Sequence, residues 1–247
     1  MKKFSFLFPV LIFLLFMALG NKILATGTVS PSILVIIVAV AVGTLVFLKP
    51  KTKTGSFKAG QRQLDNDELA AIDKMFQEVG DRYGIDWLLL SAIARVESEF
   101  RFDAVSRVGA VGLMQIMPST AKSMGYAREA LFDAQINVEV AAKLLHENNK
   151  MLRLSRKFDT TERLNFILAC YNAGYSRIAD ARRLARYYED DADRWGVVMN
   201  YLSMLSEPEH FQLEVVQSGE FDGSEETIAY VGKVMHIYNI YRSKILQ

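Results

Sequence analysis

Residues 97–118 read ESEFRFDAVSRVGAVGLMQIMP. One acidic residue, Glu97, closes an apolar pattern, and a glycine-punctuated loop follows it. Upstream, Asp86 stands where an N-cap belongs, ahead of WLLLSAIARVESEF, in which Leu89, Ile93 and Val96 recur at helical spacing. The spacing predicts a helix over Trp87–Phe100 with Glu97 in its last turn. Beside Ala94, Val96 and Phe100 the carboxyl is expected to be partly withdrawn from water. Desolvation disfavours the charged form and raises the pKa toward the value a general acid needs near neutrality. Most glutamates at helix ends are ordinary solvated groups, so position alone decides nothing.

Working outward, Gly109, Ala110 and Gly112 are small enough to let backbone approach another element or a ligand closely. Gln115 is a polar amide inside the apolar run Leu113–Met117, suited either to orienting a ligand or to satisfying nearby backbone groups. Pro118 marks the next helix start. Beyond Asp65 the pattern is helical almost throughout. DELAAIDKMFQEVGDRYG is expected to end at Gly80 or Gly84, and amphipathic stretches run over Ile136–Leu145, Thr161–Tyr171, Ser176–Tyr188 and Thr227–Leu246. No strand alternation is strong, so the fold class is mainly α, and about 180 such residues suffice for one core.

Composition narrows the function classes. The chain has 247 residues, with 29 Lys and Arg against 28 Asp and Glu, which leaves no general basic field to attract nucleic acid. A single cysteine, Cys170, excludes an intramolecular disulfide framework and a Cys-based zinc site. His146, His210 and His236 lack the close helical spacing of a zinc-protease motif, so no metal site is expected. The apolar excess sits at the N-terminus, in the runs Phe4–Gly20 and Ser32–Leu48, each 17 residues long. That is the short end of what crosses a bilayer, and one or two N-terminal transmembrane helices are expected. A cleaved signal peptide for the first run, or buried core for both, are the other readings.

Four ordered motifs then carry a resemblance. The segment E-S-x-F, Ser106 and G-A-x-G-L-M-Q-I-M-P is followed by Phe132-Asp133 with Asn137, by ACYNAG at 169–174 and by ETIAYV at 226–231. Together they resemble the lytic transglycosylases of the soluble-transglycosylase (SLT) family, over roughly Asp65 to Ile240. Cys170 departs from the family's alanine and is expected to be core packing. The stretch Ser176–Ser224 is long for the family. It includes RRLARYYEDDADRW, whose Arg182, Arg183, Tyr187 and Tyr188 either contact glycan or peptide stems or form a solvated face.

The resemblance implies a lysozyme-like helical domain that cleaves the β-1,4 bond between N-acetylmuramic acid and N-acetylglucosamine in peptidoglycan, without metal or cofactor. It places Glu97 on the catalytic acid. Ser106, Met114 and Gln115 fall on loop residues lining the sugar cleft, Tyr171 and Asn172 on a pair facing the acid, and Glu226 and Tyr230 on the last motif. In the implied scheme Glu97 protonates the leaving oxygen, the substrate's N-acetyl group stabilises the cationic sugar, and Glu97 then takes a proton from the C6 hydroxyl to close a 1,6-anhydro ring. No second carboxylate is equally conspicuous. Ordinary glycosidases use two, and here the substrate supplies its own nucleophile. A goose-type-like muramidase and a non-catalytic peptidoglycan-binding scaffold are the alternatives.

The expected layout is a membrane-anchoring region over 1–48, a basic flexible linker over 49–64 and the catalytic domain over 65–247. The implied partners are peptidoglycan glycan strands and a lipid membrane. Lys2 and Lys3 precede the first run, and Lys49, Lys51 and Lys53 follow the second. By the positive-inside rule a two-helix hairpin leaves both ends in the cytoplasm, away from the wall. Either one run alone spans and the domain is exported, or the protein waits on the inner side of a membrane, as in a membrane-containing phage particle.

Overall fold

A computed structural model of the chain describes residues 66–154 and 159–245, all within the compact unit Leu64–Gln247. The apolar runs 4–20 and 32–48 and the linker 49–64 lie outside the described residues. No helix among those described is long and apolar enough to cross a membrane.

The element order is α1 (Asn66–Tyr83), α2 (Trp87–Glu97), α3 (Pro118–Ser123), a 3-10 turn (Arg128–Phe132), α4 (Ala134–Leu152), α5 (Thr160–Ala173), α6 (Tyr175–Tyr187), α7 (Trp195–Met204), α8 (Pro208–Phe211) and α9 (Ser224–Ile245). The described residues hold no strand beyond isolated bridges of Val111 to Val105 and Ile116. The expectation of a mainly α fold is met.

Helix α2 is the element around which the site is built. Asp86 caps it by accepting the Leu88 amide at 3.0 Å, and the other carboxylate oxygen accepts the Tyr238 hydroxyl of α9 at 2.7 Å. Every residue from Leu88 to Ala94 is buried. A helix apolar on all sides belongs inside, and α2 packs against α1 and α9 while α9 also meets α5. Helix α9 faces the core with Thr227, Val231, Val234 and Tyr238.

Several boundaries differ from the sequence reading. Helix α2 stops at Glu97, not Phe100. Ser98 turns the chain: its amide returns to the Ala94 carbonyl, its hydroxyl donates to the Leu113 carbonyl at 2.7 Å, and Glu99 and Phe100 follow at φ 54° and 63°. Glu99 is therefore off the helix altogether. Helix α1, by contrast, ends where one of the two expected stops lay, at Gly84 with φ +66°, and runs through Gly80. The long stretch after α6 contains α7 and α8, which periodicity alone passed over.

Arg182 and Arg183 belong to the interior. Arg182 is buried and donates to the Ala192 and Leu152 carbonyls at 2.9 Å each, and to Asp193. Arg183 donates to the Val215 carbonyl and to the fully buried Asp180, which also accepts the Gln217 and Ser218 amides. These bonds hold Asp180 well ionised, below the usual carboxylate range despite its burial. Of the four residues singled out in that stretch, Tyr187 and Tyr188 are the exposed pair. Cys170 is buried in the core, as expected, and burial pushes its thiol up to about 12.

Candidate active site

Three helix ends converge on one groove. A cleft of about 370 Å³ is lined by Val96 and Glu97 from α2, Asn172 from α5, and Glu226, Ala229, Tyr230 and Lys233 from α9. A second hollow of about 180 Å³, lined by Asn172, Ala173, Phe221, Gly223, Glu226 and Thr227, continues it. Both share Asn172 and Glu226, so the groove runs along the first turns of α9.

Glu97 is half-buried at the end of α2. Burial raises its carboxyl from the ordinary 4.5 to about 7, the approach of the Tyr230 hydroxyl opposes this, and the negative charge of Glu226 adds to it. Tyr230 is itself buried, and its hydroxyl approaches Glu97 without making a hydrogen bond of good geometry to any described residue. Burial first, and then the charge of Glu97, hold the hydroxyl well above its usual range, so it stays a neutral donor. An unpartnered buried hydroxyl costs free energy, and here it lies beside the one carboxyl whose protonation is balanced near neutrality.

The remaining candidates fall into two groups. Tyr171, Asn172 and Glu226 stand with Glu97. The Tyr171 hydroxyl donates to the Met114 carbonyl at 2.7 Å, tying α5 to the loop, and burial together with the Glu97 charge raises its pKa well above the usual value. The Asn172 amide oxygen accepts the Thr227 hydroxyl at 2.8 Å. Ser106, Met114 and Gln115 do not line the groove with their side chains. The Ser106 hydroxyl accepts the Ala110 amide at 3.0 Å. The Gln115 amide donates to the Gly112 and Ala104 carbonyls at 2.8 and 3.2 Å, from a left-handed backbone at φ 49°. The Met114 side chain is fully buried in the core.

Sequence reasoning missed how this loop is held. Asn137 of α4 is fully buried; its Nδ2 donates to the Val111 and Leu131 carbonyls at 2.9 Å each, and its Oδ1 accepts the Met114 amide at 2.7 Å. Gly112 makes room for it: at φ +79°, a Cβ there would lie 2.5 Å from Asn137 Nδ2 and 2.6 Å from the Leu131 carbonyl. The F-D-x-x-x-N spacing was the available signal, yet no local pattern ties Asn137 to residues 111–114. The expectation of a lone conspicuous carboxylate also needs correction, because Glu226 lines the same cleft. Elsewhere, Glu207, Glu209 and His210 bring possible metal-ligand atoms within 4.8 Å of one another; none of them lines the groove, and Glu207 already pairs with His210 at 3.0 Å.

Fold and site thus define a helical domain with an acid-bearing groove where α2, α5 and α9 meet. Residues 74–193 match the family model described as the transglycosylase SLT domain, so the helical unit contains a segment similar to that family. Among curated relatives, it is 31% identical over 172 residues to "Membrane-bound lytic murein transglycosylase F" of Desulfosudis oleivorans, covering 69% of this chain and 36% of the relative. A protein of the same name from Marinobacter nauticus is 31% identical over 174 residues, 70% and 33% of the two chains. The chain therefore spans about a third of the length of these relatives. Among solved structures, an inactive mutant of lytic transglycosylase Slt from Pseudomonas aeruginosa is 24% identical, with a TM-score of 0.46, over 70% of this chain and 24% of that one. The 70 kDa soluble lytic transglycosylase of Escherichia coli has a TM-score of 0.47 at the same identity and coverage.

Proposed function

We propose that this protein is a peptidoglycan lytic transglycosylase with a lysozyme-like domain, in which Glu97 is the acid and then the base. The observation that carries the reading is a half-buried carboxyl with a pKa of about 7 in a groove it shares with the buried Tyr230 phenol. A carboxylic acid protonated near neutrality protonates the glycosidic oxygen as the bond between N-acetylmuramic acid and N-acetylglucosamine breaks. The substrate's N-acetyl group stabilises the cationic sugar. Glu97, now ionised, removes the proton from the C6 hydroxyl, which attacks the anomeric carbon and leaves a 1,6-anhydro end. Intramolecular attack gains from proximity what a second enzymic nucleophile supplies elsewhere.

In this reading the neutral Tyr230 hydroxyl donates to Glu97 or to the sugar once the groove fills, and Asn172 and Glu226 take polar groups of the strand. Tyr171 positions the Met114 carbonyl, while Ser106 and Gln115 keep the loop in shape. The relatives' printed names, membrane-bound lytic murein transglycosylases, support both the chemistry and a membrane attachment. We accordingly assign 1–48 to anchoring, 49–64 to a tether and 65–247 to catalysis, on the peptidoglycan side of a bacterial inner membrane. Storage in the internal membrane of a virion is the alternative location. Protease treatment of intact spheroplasts separates the two: protection of the catalytic domain would overturn a periplasmic placement.

A second reading rests on Glu226. As a carboxylate in the same groove as a protonated Glu97, it has the chemistry to activate water, which would make the enzyme a hydrolase of the same bond. Digestion of purified sacculi with mass analysis of the products decides. Ends lighter by one water are expected; reducing ends from the parent protein would establish hydrolysis, and digestion by Glu97→Gln at the parent rate would remove Glu97 from either scheme.

A further inference from the structure

Helix α9 presents Glu226, Ala229, Tyr230 and Lys233 to the cleft, the i, i+3, i+4 and i+7 positions of a single helical stripe. Lys233 ends that stripe, two turns and roughly 10 Å beyond Glu226. It is exposed, and it forms no hydrogen bond or ion pair with any described residue. It is not among the charges that act on the Glu97 carboxyl, so it does not serve the acid directly. A cation that lines a groove and has no partner among the described residues is available to a ligand.

The glycan backbone itself gives Lys233 nothing to pair with. N-acetylglucosamine and N-acetylmuramic acid carry hydroxyl, acetamido and lactyl-amide groups, all neutral, because the lactyl carboxyl is consumed in joining the peptide. The negative charge of the substrate resides in the free carboxylates of its peptide stems. We infer that Lys233 is a specificity residue that reads a stem carboxylate and biases the groove toward peptide-bearing strands; this rests on the reading of the groove as a glycan-cleaving site. Glu97 and Glu226 in the middle of the groove repel the same carboxylate. Together the three charges set where along the strand a stem is accepted and where it is excluded.

The test separates this inference from the reading beneath it. Full-length protein carrying Glu97→Gln, intended to hold substrate without turnover, is titrated with glycan strands bearing intact stems and with the same strands whose stem carboxylates have been capped as neutral amides. The expected result is tighter binding of the strands with free stem carboxylates. That preference falls about threefold with Lys233→Ala and about tenfold with Lys233→Glu, and is kept by Lys233→Arg. It also weakens as salt rises from 50 to 500 mM, roughly in step with the shortening Debye length. An unchanged preference in Lys233→Glu overturns the inference, as does an equal loss on both kinds of strand, which would mean general damage to the groove. Product analysis of the parent enzyme stands apart: anhydro ends with no Lys233-dependent preference sink the inference alone, whereas a Lys233-dependent preference with no anhydro ends sinks the transglycosylase assignment alone.

Discussion

The loop 104–117 and the groove wall of α2 and α9 carry polar residues that looked alike in the sequence, and the fold treats them in opposite ways. In the loop the Ser106 hydroxyl and the Gln115 amide are spent internally. Ser106 holds Ala110, Gln115 bridges Gly112 and Ala104, and Asn137 reaches in from α4 to bond both chain segments. On the groove wall the groups are left wanting: Tyr230 has no good hydrogen bond, Glu97 is pushed toward protonation, and Lys233 has no ionic partner. Satisfied polar groups build the scaffold, and unsatisfied ones store interaction energy for a ligand.

The comparison is broken most directly at Glu97. Glu97→Gln removes the acid and the base together, and digestion of sacculi is expected to fall about a thousandfold, which is roughly 4 kcal/mol of barrier. A fall below about tenfold would show that the groove wall is no more chemical than the loop. Gly112→Ala strikes the scaffold side. The left-handed φ and the clash with Asn137 and Leu131 are expected to cost about 3 kcal/mol, read as a lower urea midpoint at unchanged slope. A stability within 0.5 kcal/mol, roughly the scatter for inert sites, would mean that the loop relaxes without strain.

A smaller effect tests whether the groove is under tension. The Glu97 pKa rises on folding, from 4.5 to about 7. Between these values the native state binds the extra proton, so stability is full below about pH 4.5 and falls as pH rises toward 7. Glu97→Gln removes that penalty. It is expected to be more stable than the parent at pH 8 by about 1–3 kcal/mol, with the advantage gone near pH 4. Thermal melts at both pH values check this, and an equal difference at each would detach it from ionisation. The smallest effects are paired and opposite in sign. Glu226→Gln removes a negative neighbour and shifts the alkaline limb of kcat/KM to lower pH by less than about one unit. Tyr230→Phe removes a group that stabilises the carboxylate and shifts the limb to higher pH by a similar amount. Shifts in the same direction would contradict the electrostatics assigned to the groove.

Much of the site was legible along the chain because its parts lie at helix ends, which leave local signatures. Asp86 announces α2, apolar spacing carries it to Glu97, and Gly174 closes α5 just after Tyr171 and Asn172. The helical class, the burial of Cys170 and the grouping of Glu97 with Tyr171, Asn172, Glu226 and Tyr230 were within reach of motif and period. The termination of α2 at Glu97 was not, because Ser98 is held by the carbonyl of Leu113, fifteen positions away. Nor was the internal use of Arg182 and Arg183, whose charge reads as surface until the carbonyls of 152, 192 and 215 are seen around them.

By itself, then, the sequence determined the longer helical segments and which residue types stand at their ends, though not α7 and α8, because periodicity and capping act within a few residues. Tertiary structure alone decided which polar groups are satisfied. Hydrogen-bond partners and desolvation come from elements distant in the chain: burial without a well-formed partner sets Glu97 and Tyr230 apart, and the lack of an ionic partner among the described residues sets Lys233 apart, from the satisfied scaffold.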